Sequence, residues 1–144
     1  SRSLAGARLG FGFASEKIIE DLNTIRFSTN PYNVNRMTLK AGVASLKDDG
    51  YNKKNAEKII ATRERVKAEL EALGFLVLDS KANFIFARNL KIDGEKLYKS
   101  LKARGILVRH FSKERISDFV RITIGTKEQI EILVNAVYEI IKEL

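Results

Sequence analysis

Cysteine and tryptophan are missing from this 144-residue chain, and proline, methionine and histidine occur once each. Without cysteine there is no disulfide and no thiolate chemistry, which favours a cytoplasmic location. A single histidine, with no acidic cluster at ligand spacing, predicts no zinc or other metal site. No run of 18 apolar residues occurs, so the sequence predicts no membrane-spanning segment.

The composition that remains is typical of a globular domain, with 44% hydrophobic and 31% charged residues. The formal net charge of +8 raises the question of a nucleic-acid partner. The basic residues are nevertheless interspersed with acidic ones, as in residues 58–71 and 96–104. Neither an aromatic stacking motif nor a basic arm accompanies them, so we expect no nucleic-acid partner.

The first third of the chain predicts an incomplete structure. Residues 7–14 have the apolar, glycine-punctuated pattern of a buried β-strand. Ser15 then precedes a helix with an apolar stripe, and a second helix is predicted from about residue 34 to 46. One strand with two helices leaves unpaired strand edges, so we expect a partner segment that this chain does not supply.

The rest of the chain predicts a short sheet of three or four strands covered by helices, and therefore an α/β fold. We expect a domain boundary at residues 47–50, between a first part at 1–48 and a second part at 49–144. Gly74 and Gly105 are placed to end helices, and Thr126 with Gln129 has capping-box spacing. Helices are predicted at about 54–73, 93–104 and after 126, and strands at 75–79, 83–87, 106–109 and 119–124.

Two arginines stand out in the predicted strands. Arg121 lies inside an alternating strand, on the face opposite Val120 and Ile122, and Arg109 ends another strand twelve residues earlier. A guanidinium in a short core strand must be paired or face a functional cavity. Two such arginines on neighbouring strands would suit bidentate capture of a carboxylate or phosphate. Ordinary salt bridges at strand ends are the alternative that the pattern leaves open.

The beginning of the chain resembles a segment of the fold-type I aminotransferases that use pyridoxal phosphate. In that family Ser-Lys and three variable residues precede Leu-Ala-Gly-x-Arg, and residues 4–8 here are Leu-Ala-Gly-Ala-Arg. The resemblance places the cofactor lysine immediately before Ser1. It also implies that Arg8 binds the cofactor phosphate. We therefore expect the chain to be the C-terminal part of a longer enzyme, without a catalytic residue of its own.

Four further segments resemble histidinol-phosphate aminotransferases, in the same order along the chain. They are Pro-Tyr-Asn-Val-Asn at 31–35, Ala-Asn-Phe at 82–84, Gly-Ile-Leu-Val-Arg-His-Phe at 105–111 and Val-Arg-Ile-Thr-Ile-Gly-Thr at 120–126. The resemblance implies that Arg121 binds the anionic group of the substrate and that Arg109 helps to recognise the phosphate end. Because proton transfer in that family belongs to the lysine, we interpret His110 as a strand-end residue.

This resemblance implies a fold, an activity and partners. The fold would be mainly the small C-terminal α/β domain of a fold-type I enzyme, at 49–144, with a remnant of the large cofactor-binding domain at 1–48. The intact homodimer would use pyridoxal 5'-phosphate to transfer an amino group between histidinol phosphate and 2-oxoglutarate, in histidine biosynthesis. Without the N-terminal part of the same protein, we expect this chain to be inactive and not to bind the cofactor.

Three alternatives stay open from the sequence. An aromatic-amino-acid aminotransferase or a threonine-phosphate decarboxylase would resemble the same motifs and would also need an arginine at the position of Arg121. A non-catalytic α/β module that binds an anionic partner through its basic surface is the alternative from a different class.

Overall fold

The computed structural model describes residues 2–144, which form two units. The first unit ends at Lys54 and the second extends from Asn55 to Leu144, so the boundary falls inside a helix. In the described part of the chain, no helix has both the length and the apolar character needed to cross a bilayer.

The first unit is helical and contains no strand among its described residues. Helix α1 spans Glu16–Thr29, α2 spans Arg36–Lys47, and α3 begins at Asp49. The strand predicted at residues 7–14 is therefore wrong. Residues 5–8 form a turn, in which the Arg8 N–H donates to the Ala5 carbonyl at 3.0 Å, and residues 9–15 are irregular. A strand requires a hydrogen-bonded neighbour, and none of the residues from 2 to 144 pairs with this segment.

Helix α3, Asp49–Ala72, starts earlier than the sequence predicts. The expected break at residues 47–50 is reduced to Asp48, whose carboxylate accepts a hydrogen bond from the Tyr51 N–H at 3.3 Å. This cap satisfies a free N–H of the first turn and places Asp49 at the positive end of the helix dipole. Gly50 is tolerated there because it lies at the start of the helix, where few intrahelical bonds depend on it.

The second unit contains a four-stranded antiparallel sheet, which confirms the predicted α/β class. Strands β1 (Phe75–Leu78), β2 (Phe84–Asn89), β3 (Arg109–His110) and β4 (Val120–Thr123) lie in the order β1-β2-β4-β3. Helices α4 (Gly94–Ala103) and α5 (Lys127–Lys142) complete the unit. Strand β3 is shorter than the predicted strand at 106–109, since residues 106–108 make no ladder pairs.

The two faces of the sheet differ in character. One face supplies the hydrophobic core together with the second half of α3, α4 and α5. Its buried residues include Val77, Ile85, Ala87, Val120 and Ile122 from the strands and Leu70, Leu101 and Val137 from the helices. The other face, called the outer face below, carries Leu78, Phe86, Arg121 and Arg109 in one row across the four strands. The alternation that the sequence predicts for β4 is confirmed by this burial.

Candidate functional site

The register of the sheet places Arg109 directly opposite Arg121. Strand β3 pairs with β4, and the Cα partners are Arg109 with Arg121 and His110 with Val120. The two strands are thus neighbours, and both arginine side chains belong to the outer face. Like charges directly opposite each other in a sheet are unfavourable. The arrangement is therefore stabilised when an anion lies between the two guanidinium groups.

Neither arginine of this pair is neutralised by an acidic residue. Within residues 2–144, no aspartate or glutamate forms a salt bridge with Arg109 or Arg121. The Nε of Arg121 is buried and has no hydrogen-bond partner. A buried donor without an acceptor costs free energy, so this atom favours an acceptor supplied by a ligand. Strand-end salt bridges, the alternative left open above, do not hold these two side chains.

Phenylalanine rings flank the arginine pair. The ring centroid of Phe111 lies 5.3 Å from the Arg109 guanidinium carbon and 5.9 Å from that of Arg121. Phe84 lies 5.2 Å from the Arg121 carbon. Sequence reasoning missed these rings. The signal was the period-two pattern, which puts Phe84 on the same face as Arg121 and opposite to the buried Ile85.

Further aromatic contacts on the outer face start from Phe86, which lies in the same row as the arginine pair. Phe86 stacks on Phe119 with centroids 4.6 Å apart, and Phe86 meets Phe111 edge-on at 6.2 Å. A third arginine, Arg88, lies 5.3 Å from the Phe119 centroid, with its Nη1 3.9 Å from an Asp118 carboxylate oxygen. The sequence did not single out Arg88. Phe86 thus connects Phe111 with Phe119, and the outer face is a cationic surface built on aromatic rings.

His110 faces away from the arginine pair. Its strand partner is the fully buried Val120, which places it on the core side of the sheet. Its Nε2 lies 2.8 Å from the Ser117 carbonyl oxygen, and its ring stacks on Tyr98 at 6.1 Å. These contacts agree with the interpretation of His110 as a strand-end residue, and they leave it no role beside the arginines.

Arg8 belongs to the first unit, in the turn at residues 5–8. Its φ of 57° lies in the left-handed region, which is strained for a residue other than glycine. The side chain is exposed, and its guanidinium makes no hydrogen bond or ion pair with any residue from 2 to 144. A free guanidinium on a constrained turn can bind a phosphate. Ser1 and the lysine expected before it lie outside the described residues.

One cavity of about 350 Å³ lies elsewhere in the second unit, beside Arg63, Lys67 and Asp79. Most of its charged side chains are already paired. Lys67 hydrogen-bonds Asp79, which lowers the pKa of the Asp79 carboxyl, and Arg63 donates to the Ala82 carbonyl at 3.0 Å. Nowhere in the described chain do three metal-ligating side chains come together. The arginine pair is therefore the candidate site.

The chain is similar to known proteins over nearly its whole length. A model of the family described as aminotransferase class I and II matches residues 1–137. A histidinol-phosphate aminotransferase of Brachyspira hyodysenteriae is 48% identical over 142 residues, which are 99% of this chain and 40% of that protein. The chain spans about 40% of the length of the curated relatives that it matches.

Solved structures match in the same way. The histidinol-phosphate aminotransferase from Clostridium acetobutylicum has a TM-score of 0.86 and 30% identity, over 99% of this chain and 43% of that chain. The histidinol-phosphate aminotransferase from Sinorhizobium meliloti, in complex with pyridoxal-5'-phosphate, has a TM-score of 0.83 and 23% identity, over 97% of this chain and 38% of that chain.

Proposed function

The chain belongs to the class I and II aminotransferase family, and from this premise we propose that the intact protein is a histidinol-phosphate aminotransferase. It interconverts histidinol phosphate and 2-oxoglutarate with imidazole-acetol phosphate and glutamate, in histidine biosynthesis. The names of relatives that are 41–48% identical over nearly the whole chain support this activity.

The observation that carries the proposal is the arginine pair without a counter-ion. Histidinol phosphate offers a phosphate and no α-carboxylate, whereas glutamate offers two carboxylates. One site must accept either anion, and two forked guanidinium groups on adjacent strands can bind both kinds of group in bidentate fashion. Arg121 binds the anionic group of each substrate, and Arg109 recognises the phosphate end.

The cofactor of the intact enzyme is pyridoxal 5'-phosphate, and Arg8 is the residue of this chain that would hold its phosphate. The exposed, unpaired guanidinium of Arg8 fits that role. When bound, the cofactor supplies the electron sink that amino-group transfer requires. The lysine that moves the proton is expected just before Ser1, so the 144-residue chain by itself should be inactive and should not retain the cofactor.

The remaining features of the proposal concern the whole protein. Residues 1–48 are part of the large cofactor-binding domain, and 49–144 form the small domain. The chain acts together with an N-terminal part of the same protein, in a cytoplasmic homodimer, without nucleic acid or membrane partners.

A substrate panel on the full-length protein tests the proposal. We expect turnover of histidinol phosphate with 2-oxoglutarate to exceed turnover of an aromatic amino acid, and we expect no release of carbon dioxide from threonine phosphate. Preference for the aromatic amino acid, or decarboxylation, would assign the protein to one of those related activities. Anion binding that needs no cofactor and weakens steeply with salt, without any transamination, would indicate the non-catalytic module instead.

A further inference from the structure

We propose that Phe111 is a positioning residue that holds Arg109 and Arg121 together so that both contact one anionic group. This inference rests on the proposed function only for the identity of that anion, a phosphate. Arg109 and Arg121 lie directly opposite each other on adjacent strands, without an acidic partner in the described chain, so their positive charges repel each other.

Phe111 is placed to counter that repulsion. The face of an aromatic ring carries partial negative charge and attracts a guanidinium within about 6 Å. Phe111 meets this condition for both cations at once, at 5.3 Å from Arg109 and 5.9 Å from Arg121. No other aromatic ring in the described part of the chain contacts both arginines.

Phe111 is itself held in place by the sheet. Its ring meets Phe86 edge-on, with an interplanar angle of 74°, and Phe86 in turn stacks on Phe119. Edge-on and stacked pairs of this kind prefer defined geometries. Phe111 follows directly after β3 and lies on the same face as Arg109, two residues earlier. A ring held in place at Phe111 therefore also restrains the Arg109 side chain.

The two arginines depend on Phe111 to different degrees. Arg121 has a second ring, Phe84, at 5.2 Å, and its side chain is half-buried. Arg109 is exposed and has Phe111 as its sole cation–π partner among residues 2–144. Loss of the Phe111 ring should therefore release Arg109 first, and with it the recognition of phosphate.

The test is a titration of the 144-residue chain with inorganic phosphate, followed by the NMR signals of the arginine Nε–Hε groups. In the wild type, we expect the signals of Arg109 and Arg121 to shift with one shared Kd. Phe111→Leu should weaken that Kd about fivefold or more, since it removes a cation–π contact to each guanidinium. Phe111→Tyr keeps the ring face, so its Kd should stay within about twofold of wild type.

Two controls separate positioning from folding. Backbone signals of Ile85 and Ile122, in the core face of the sheet, should be unchanged in every variant that is compared. Phe84→Leu removes the second ring of Arg121 and leaves Arg109 its ring, so it should not release Arg109. If Phe111→Leu fails to fold, Phe111→Met replaces it as the non-aromatic variant.

The inference is overturned if phosphate binds the non-aromatic variant as tightly as the wild type. It is also overturned if Phe111→Tyr binds as weakly as the non-aromatic variant, or if the wild-type arginines do not respond to phosphate together. This readout needs no catalysis, so the two proposals can fail separately. A failed substrate panel would remove the proposed function and leave the positioning role of Phe111. A phosphate Kd that is the same in the non-aromatic variant and the wild type would remove the positioning role and leave the proposed function.

Discussion

At the scale of single residues, Arg121 and Arg109 differ in how strongly their surroundings restrain their side chains. Arg121 is half-buried between two rings, with a buried Nε that lacks an acceptor, whereas Arg109 is exposed beside one ring. Interactions made by a desolvated charge are stronger than those made in water. Arg121 should therefore contribute more to substrate binding, and Arg109 more to discrimination between substrates.

For Arg121 the prediction concerns both substrates of the proposed activity. Arg121→Ala should lower kcat/KM for histidinol phosphate and for glutamate by about 10²-fold, because a bidentate contact to a desolvated anion contributes about 3 kcal/mol. Steady-state kinetics with each substrate measures the loss. Arg104→Ala is the matched control, since Arg104 pairs with Glu143 just after the ends of α4 and α5, and its loss should leave kcat/KM unchanged. A loss confined to one substrate would contradict a shared anion site.

For Arg109 the prediction is a difference between substrates. Arg109→Ala should reduce kcat/KM for histidinol phosphate by about tenfold more than for an unphosphorylated aromatic amino acid, since in the proposed function only the former has a phosphate for Arg109 to bind. The same assays on both substrates give the ratio of the two losses in kcat/KM. Equal losses would show that Arg109 does not recognise phosphate.

At the scale of elements, the start of α4 determines where the segment between β3 and β4 lies. Gly94 packs against the backbone of residues 117–118, and a Cβ on this residue would come within 3 Å of the Ser117 and Asp118 backbone atoms. The Ser117 carbonyl is also the partner of His110. One short contact region thus anchors the connection between the two strands that carry the arginines.

This close approach predicts that Gly94→Ala destabilises the protein. The clash is with backbone atoms, which cannot avoid it by a change of rotamer, so the free energy of unfolding should fall by roughly 1–3 kcal/mol. Denaturant unfolding measures it. Gly50→Ala is the control, because a Cβ at Gly50 meets open space in the first turn of α3 and should be neutral or stabilising by up to about 1 kcal/mol. Similar effects at both glycines would contradict the packing argument.

The same helix end predicts a pH dependence of stability. The Asp93 carboxylate caps α4 by accepting the Lys96 N–H at 2.8 Å, and this hydrogen bond lowers the pKa of Asp93. Because the folded pKa lies below the unfolded one, the unfolded chain binds the proton first as the pH falls. The stabilisation is complete above the ordinary pKa of about 3.9 and is lost as the pH falls through the folded pKa.

Asp93→Asn should flatten this acid limb, since asparagine also caps helices and does not titrate. Urea unfolding at a series of pH values from about 6 to 2.5 should show that wild type loses its advantage over the variant below about pH 4. Asp93→Ser, another capping residue without a charge, should behave like asparagine. A constant difference between wild type and both variants across this range would exclude the mechanism.

At the scale of the whole molecule, the two units differ in how much they bury. Among residues 2–144, the core contains sixteen buried apolar residues, all between Val66 and Ile140, and α1 has none. The apolar stripe of α1 is 51% exposed at Ile18, 54% at Leu22 and 59% at Ile25. Because α1 buries no residue, it gains little stability from the rest of the described chain. An isolated helix of 14 residues is only marginally stable in water.

Hydrogen exchange on the monomeric 144-residue chain should therefore separate the two units. Amides of α1 should exchange close to the rate of an unfolded peptide, whereas those of β2 and β4 should exchange only on global unfolding. Helix α5, with 16 residues, is the matched control, because it buries four residues and carries a capping box at Thr126. Protection of α1 equal to that of α5 in a proven monomer would contradict this view of the first unit.

The sequence by itself determined those features that depend on residues close in the chain. Alternation in β4 put Arg121 on the face opposite Val120, the spacing of Thr126 and Gln129 predicted the capping box, and Gly74 and Gly105 predicted helix ends, where both adopt positive φ. These signals act within one turn or a few strand residues, so they need no tertiary contact. The resemblance of short motifs added the family, and with it Arg8 as a candidate and expected roles for Arg109 and Arg121.

Only the tertiary structure decided which strands are neighbours and which segments find a partner. The order β1-β2-β4-β3, the register that sets Arg109 against Arg121, and the rings of Phe84 and Phe111 beside them all join residues distant in the chain. The strand expected at residues 7–14 does not form, for the same reason. An apolar pattern makes a segment able to form a strand, and a hydrogen-bonded neighbour decides whether it does.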